Sequence, residues 1–201
     1  MPPANPMLRY ELQPGDIIAF YGRDWRSRII EFATFGPSHV GIIAEWDVTR
    51  SDGTISREMV LVESTTMSPH YCLHTGQLID GVQVQWPSMR IEDYDGRAKL
   101  FRLAPLNSLT SSQSQLLTLM LRKLIGTGYG MAGALWSGSR VLKYLSWFGY
   151  SDDGTMFCSQ LIAKCLMKFG LLPLGNSGWY NPGSLLRTLL MCNSYQRGVP
   201  L

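Results

Sequence analysis

Three side chains could together run nucleophilic chemistry: Cys158, His39 and Glu63. Cys158 lies in Phe157-Cys158-Ser159-Gln160-Leu161-Ile162. A helix opening near Thr155 or Met156 would put it in the first turn. There, unpaired backbone N–H groups and the helix dipole favour an anion. Such a setting favours a thiolate, and a neighbouring N–H could donate to an oxyanion. Residue type alone also allows a buried structural cysteine. His39 opens a strand directly after Gly36-Pro37-Ser38, where its ring could exchange a proton with a thiol or serve as a hydrogen-bonded surface group. Glu63 closes the run Met59-Val60-Leu61-Val62-Glu63. A carboxylate there could orient an imidazole or form a plain edge salt bridge. A rival cluster is His70, Cys72 and His74, whose alternation would supply zinc-type ligands if it formed a regular strand. Cys165, deeper in the helix of Cys158, reads as core, and Cys192 has no supporting context.

The elements that must position these groups fall into two halves. Gln13-Pro14-Gly15-Asp16 is a turn that launches a buried strand at 17–21. Residues 25–35 carry a helical spacing (Trp25, Ile29, Ile30, Ala33) that ends at Gly36-Pro37. Strands are expected at 38–45 and 59–63, joined by a polar stretch containing Asp52-Gly53. Further strands are expected at 82–86 and 99–103, with 64–80 irregular. Beyond Pro105 the period changes to helices at 110–125, 134–148 and from 155 or 156 to 169, followed by Gly170. Asn181-Pro182 starts a last helix. This order describes an α+β fold with an antiparallel sheet or small barrel packed against helices. Residues 1–201 read as a single domain, with 1–9 as an N-terminal arm.

Bulk properties remove several function classes. The net charge of +3 is too small, and the basic residues too dispersed, to point to nucleic acid. Charged residues make up 16% of the chain, a low share that leaves room for an adhesive apolar surface. None of the four cysteines forms a C-x-x-C pair, and residues 1–10 lack the apolar core of a signal peptide. Reduced thiols in a cytoplasmic or other reducing compartment are expected. A phage or virus product, or a protein exported without a signal peptide, fits equally. No apolar run is long enough to span a bilayer. The glycine-rich stretch at 126–133 lacks the Lys-Ser/Thr of a phosphate loop. No cofactor is expected.

Six segments in order resemble the permuted NlpC/P60 papain-like cysteine hydrolases, including the YiiX/YaeF-like group. They are Leu12-Gln13-Pro14-Gly15-Asp16-Ile17-Ile18, Ser38-His39-Val40-Gly41-Ile42-Ile43 and Val60-Leu61-Val62-Glu63-Ser64, then Gly128-Tyr129-Gly130, Phe157-Cys158-Ser159-Gln160-Leu161-Ile162 and Trp179-Tyr180-Asn181-Pro182-Gly183-Ser184-Leu185. The resemblance implies a circularly permuted papain-like fold, which accounts for a histidine that precedes the cysteine. It implies Cys158 as nucleophile, His39 as base, Glu63 as the residue orienting His39, and Tyr129 and Ser159 as oxyanion or substrate-lining residues. It implies a cysteine peptidase or amidase that cleaves amide bonds, cell-wall peptides among them, through a thioester. Related permuted members imply an alternative on the same fold, a lipid acyl hydrolase or acyltransferase; a catalytically silent binding or structural protein on that fold is a further alternative. The expected partner is a peptide or acyl-containing substrate, with lipid or membrane proximity in the second case. Gln160, Gly130 and Ser184 depart from the group's usual Glu, Asp and Asp.

Overall fold

The computed structural model describes residues 11–50, 52–66, 68–129 and 156–201. The expected arm at 1–9, the helix at 134–148, the turn at 152–154 and Gly130 lie outside them.

Strands β1 (Ile17–Gly22), β2 (His39–Thr49), β3 (Ile55–Thr65), β4 (Gly81–Gln85), β5 (Gly96–Phe101) and β6 (Val199–Pro200) form one antiparallel sheet in the order β4-β3-β2-β1-β5-β6. Among the described residues the sheet is open, so the expected alternatives resolve to a sheet and not a barrel. The helices are α1 (Trp25–Thr34), α2 (Pro87–Glu92), α3 (Ser111–Arg122), α4 (Cys158–Lys168) and α5 (Pro182–Met191). This is an α+β fold.

The β2–β3 hairpin is longer than the hydrophobic pattern indicates. Pairing runs from Ile42↔Val62 to Thr49↔Ile55 through the polar stretch. The turn holds because Asp52 accepts from the Thr54 N–H and hydroxyl, and Gly53 adopts φ +81°. Strand pairing thus overrides composition there. β5 begins at Gly96, three residues before the expected Lys99. α2 has no counterpart among the expected elements.

Alternation along the strands divides the core. Ile17, Ala19, Val40, Ile42, Ala44, Val60, Val62, Val82 and Val84 join Leu117 and Leu121 of α3, Leu161, Ile162 and Cys165 of α4, and Leu185 and Leu189 of α5. A smaller cluster on the opposite face comprises Ile18, Phe20, Ile43, Leu61, Ala98 and Leu100. α3 begins with a capping box between Thr110 and Gln113. α1 leaves its Trp25, Ile29 and Phe32 side chains exposed, and Phe35 just after it is exposed as well.

The end of α1 meets the start of α5 at two glycines. A Cβ on Gly183 would stand 2.1 Å from the Thr34 carbonyl oxygen, and one on Gly36 would stand 2.3 Å from Gly183 Cα. Arg187 completes the junction by donating to the Thr34 and Phe35 carbonyls at 3.1 and 2.9 Å. This contact anchors the chain just before His39. Gly183→Ala is expected to destabilise the protein by roughly 1–3 kcal/mol in chemical denaturation, because backbone must move to admit the methyl. Gly175→Ala, at a position where a Cβ meets nothing within 4 Å, is the control and should leave stability unchanged.

Candidate active site

His39 begins β2 opposite Phe20 of β1, with the two ring centroids 5.7 Å apart. Ser38 steadies this strand end. Its N–H and hydroxyl both donate to the Phe20 carbonyl, at 2.9 and 3.1 Å, and its hydroxyl oxygen accepts from the Gly22 N–H. Glu63 sits near the end of β3, one strand away. Its Oε2 lies 2.6 Å from His39 Nε2. The His39 side chain is 12% exposed and that of Glu63 is fully enclosed.

Glu63 has a second partner. Arg90 donates from Nε to Glu63 Oε1 at 2.7 Å and is itself buried. Its guanidinium lies over the rings of Phe20 and Tyr94, 5.3 and 5.2 Å from their centroids. Local sequence explains its placement. Pro87 lacks an N–H, ends the β4 ladder and occupies the first turn of α2. One short turn then brings Arg90 over the sheet. Glu63 pairs across to Gln83, which is tied to the Thr65 carbonyl and accepts from Gln85. The carboxylate is therefore enclosed by two basic side chains and a neutral polar strand.

Cys158 is the first residue of α4, two or three positions nearer the helix start than expected. Phe157 is the N-cap, with extended backbone and no side-chain capping bond, and the first helical bond runs from Leu161 N–H to the Phe157 carbonyl. The N–H groups of Cys158, Ser159 and Gln160 thus have no acceptor within the helix. The nucleophile's approach is pinned from two sides: Ser64 of β3 donates its hydroxyl to the Met156 carbonyl, and the Met156 N–H donates to Gly128 at 2.7 Å. The Gly128 link also brings Tyr129 beside Cys158, and burial together with the cysteine's charge raises the phenol's pKa.

His39 joins the two sides. Its ring hydrogen-bonds Glu63 and lies close enough to Cys158 for the two to interact electrostatically. With Nε2 taken by Glu63, Nδ1 is the nitrogen left for the thiol. Burial lowers the affinity of His39 for a proton, but the charges of Cys158 and Glu63 and their hydrogen bonds outweigh it, and its pKa rises from 6.5 to about 9. Burial alone would raise Glu63, yet His39 and Arg90 hold its carboxyl below the ordinary range. Cys165, without such neighbours, is pushed up to about 12 by burial.

The structure thus brings together Cys158, His39 and Glu63, with Tyr129 alongside. The Ser159 hydroxyl donates to the Tyr180 carbonyl at 2.6 Å, which leaves its backbone N–H as the group that could face an oxyanion. The His70, Cys72 and His74 alternative fails. Cys72 points into the core, where its sulfur accepts from the Val84 N–H. His70 lies 2.5 Å from Asp93, and His74 meets the Trp46 ring edge-on. The segment is not a strand, so alternation does not gather the three on one face. Arg90 was not apparent in the sequence. A lone arginine in a six-residue helix carries no spacing signal.

No protein-family model matches this chain, and no curated protein matches it. A solved structure does: the crystal structure of metalloprotein YiiX from Escherichia coli O157:H7, at 22% identity and a TM-score of 0.50, over 79% of this chain and 67% of that one. The chain has the YiiX fold. The arrangement is that of a permuted papain-like protein, with the histidine strand ahead of the cysteine helix. The metal in the description of YiiX has no matching donor set here, since no group of three or more His, Cys, Asp or Glu side chains converges among the described residues. No helix among them is long and apolar enough to cross a membrane.

The raised pKa of His39 ties stability to pH. The folded chain holds this proton to about 9 and the unfolded chain releases it near 6.5. The contribution is complete below the lower value, falls across the window between them and is gone above the upper one. Urea denaturation should show wild type losing stability across that window relative to His39→Gln. Parallel profiles would contradict the assignment.

Proposed function

We propose that the protein is a cysteine-dependent acyl hydrolase acting on amide bonds, a peptidase or amidase working through a thioester. The observation that carries this reading is His39 bonded to a buried, ionised Glu63 and set beside Cys158, the first residue of a helix. The Nε2–H toward Glu63 turns Nδ1 to Cys158, where it holds the proton given up by the thiol. The thiolate then attacks the substrate carbonyl, and its oxygen gains the negative charge. Donors for that charge are the first-turn N–H groups of α4, with the Tyr129 hydroxyl as a further candidate. His39 returns its proton to the leaving amine, and a thioester remains on Cys158. Water, deprotonated by His39, hydrolyses it.

A lipid acyl hydrolase is the second reading. It draws on the exposed Ile29 and Phe32 of α1, which ends five residues before His39, and on Phe35 just after it. An exposed apolar surface suits an acyl chain as well as an apolar peptide.

Alkylation by iodoacetamide, followed cysteine by cysteine with mass spectrometry, tests the shared chemistry. At neutral pH, His39→Ala should slow labelling of Cys158 by about tenfold or more, since the base and its charge are both lost. The exposed Cys192 is the internal control, and buried Cys72 and Cys165 should stay unlabelled in both proteins. Equal labelling of Cys158 would leave a binding protein on a hydrolase-like site. A panel of wall peptides, isopeptides and acyl lipids, read by acyl-enzyme mass, then separates the two substrate classes.

A further inference from the structure

The two partners of Glu63 differ in kind. His39 releases and regains protons in the proposed cycle, whereas a guanidinium stays charged throughout. A fully enclosed carboxylate that faces only neutral groups takes up a proton. Each time His39 is neutral, Arg90 is the cation still in contact with Glu63. We infer that Arg90 is a positioning residue that keeps Glu63 ionised through the proton cycle of His39, and so keeps Nε2 turned to the carboxylate and Nδ1 to Cys158. The cycle itself rests on the proposed function.

Arg90 is built for that task. Its Nε–H is aimed at one carboxylate oxygen while His39 occupies the other. Phe20 and Tyr94 hold the guanidinium plane, and Tyr94 is fixed in turn by a 3.0 Å hydrogen bond with Ser38, the neighbour of His39. Among the described residues, the groups around the trio leave no substitute. Glu63 faces His39 from β2, Arg90 from α2 and the neutral Gln83 from β4. His39 faces Phe20 from β1, Glu63 from β3 and Cys158 from α4, with Tyr129 beside the thiol.

The proton accounting follows. The Cys158 proton rests on His39 Nδ1, and the sulfur pair forms the bond to the carbonyl carbon, whose π pair moves to oxygen. That Nδ1 proton goes to the leaving group when the carbon–leaving-group bond breaks. The second ring proton stays on Nε2, in the hydrogen bond to Glu63. Without Arg90, neutralising His39 leaves Glu63 unpaired, and the carboxylate gains a proton. His39 then loses its anion and the restraint on its orientation.

Ring-proton NMR titration of the full-length protein tests this, with the pH profile of Cys158 alkylation as second readout. The chain has three histidines, so loss of one signal in His39→Ala assigns His39. Arg90→Met should lower the His39 midpoint by about one pH unit or more and match Glu63→Gln. Arg90→Lys should restore most of the shift. The Arg90→Met/Glu63→Gln double variant should go no lower than Glu63→Gln alone, because both act through one carboxylate. A folded Arg90→Met protein with an unchanged or higher midpoint, or additive shifts in the double variant, would overturn the inference. Should Arg90→Met fail to fold, Arg90→Gln keeps a donor without the charge and carries the same test. The titration needs no substrate. If Cys158 labelling proves independent of His39, the proposed function fails while the His39 midpoint still reports on Arg90.

Discussion

A carboxylate with no exposed surface governs the site. Leaving a charge such as that of Glu63 buried and unpaired costs several kcal/mol, and removing one partner from a buried pair typically costs about 3–5 kcal/mol. The fold meets this demand from three directions. β2 supplies His39, α2 supplies Arg90, and β4 lays Gln83 across from the carboxylate without adding charge. Each partner depends on strand register. A slip of one residue between β2 and β3 would send Glu63 to the face now held by Val60, Val62 and Ser64, among the aliphatic side chains under α4.

Alternation also resolves how the nucleophile and its base meet, although their elements lie on different sides of the sheet. α4 packs with the larger core on the Val62 face, while His39 and Glu63 occupy the face of Leu61. His39 is the first residue of its strand, and Cys158 is the first residue of its helix. Termini can meet around the sheet edge where mid-element residues could not. β3 serves both faces at this level. Glu63 holds the histidine, and Ser64, the next residue, holds the Met156 carbonyl two positions before Cys158. Adjacent residues on one strand therefore tie His39 and the approach to Cys158 to a common reference.

The sequence showed the chemistry better than its support. Cys158 before Ile162, His39 after Gly36-Pro37 and Glu63 after Leu61-Val62 stand at boundaries that punctuation and periodicity reveal. Their residue types announce the reaction. The sheet and the helix carrying Cys158 were legible for the same reason. The hairpin's outer half was not, because its pairing does not depend on apolar content. Nor was Arg90, whose contact with Glu63 spans 27 positions and leaves no local pattern. The His70–His74 alternation misled because alternation implies a shared face only within a strand. That segment is loop, and its buried member, Cys72, is there to pack.

Ser159 marks the boundary between support and chemistry in α4. A hydroxyl next to a nucleophile would suit an oxyanion, yet its bond to the Tyr180 carbonyl spends the proton on the loop before α5. That loop leads through the Asn181 cap into Gly183, whose bare Cα lets α5 press against the end of α1. Arg187 then holds the Thr34 and Phe35 carbonyls, five and four residues before His39. A chain of contacts therefore runs from the residue after the nucleophile, through α5, to the segment that delivers the base. Ser159 is thereby tied, through α5, to the segment that precedes His39. The first-turn N–H groups of α4 point where the helix sets them, and not where a rotatable side chain turns.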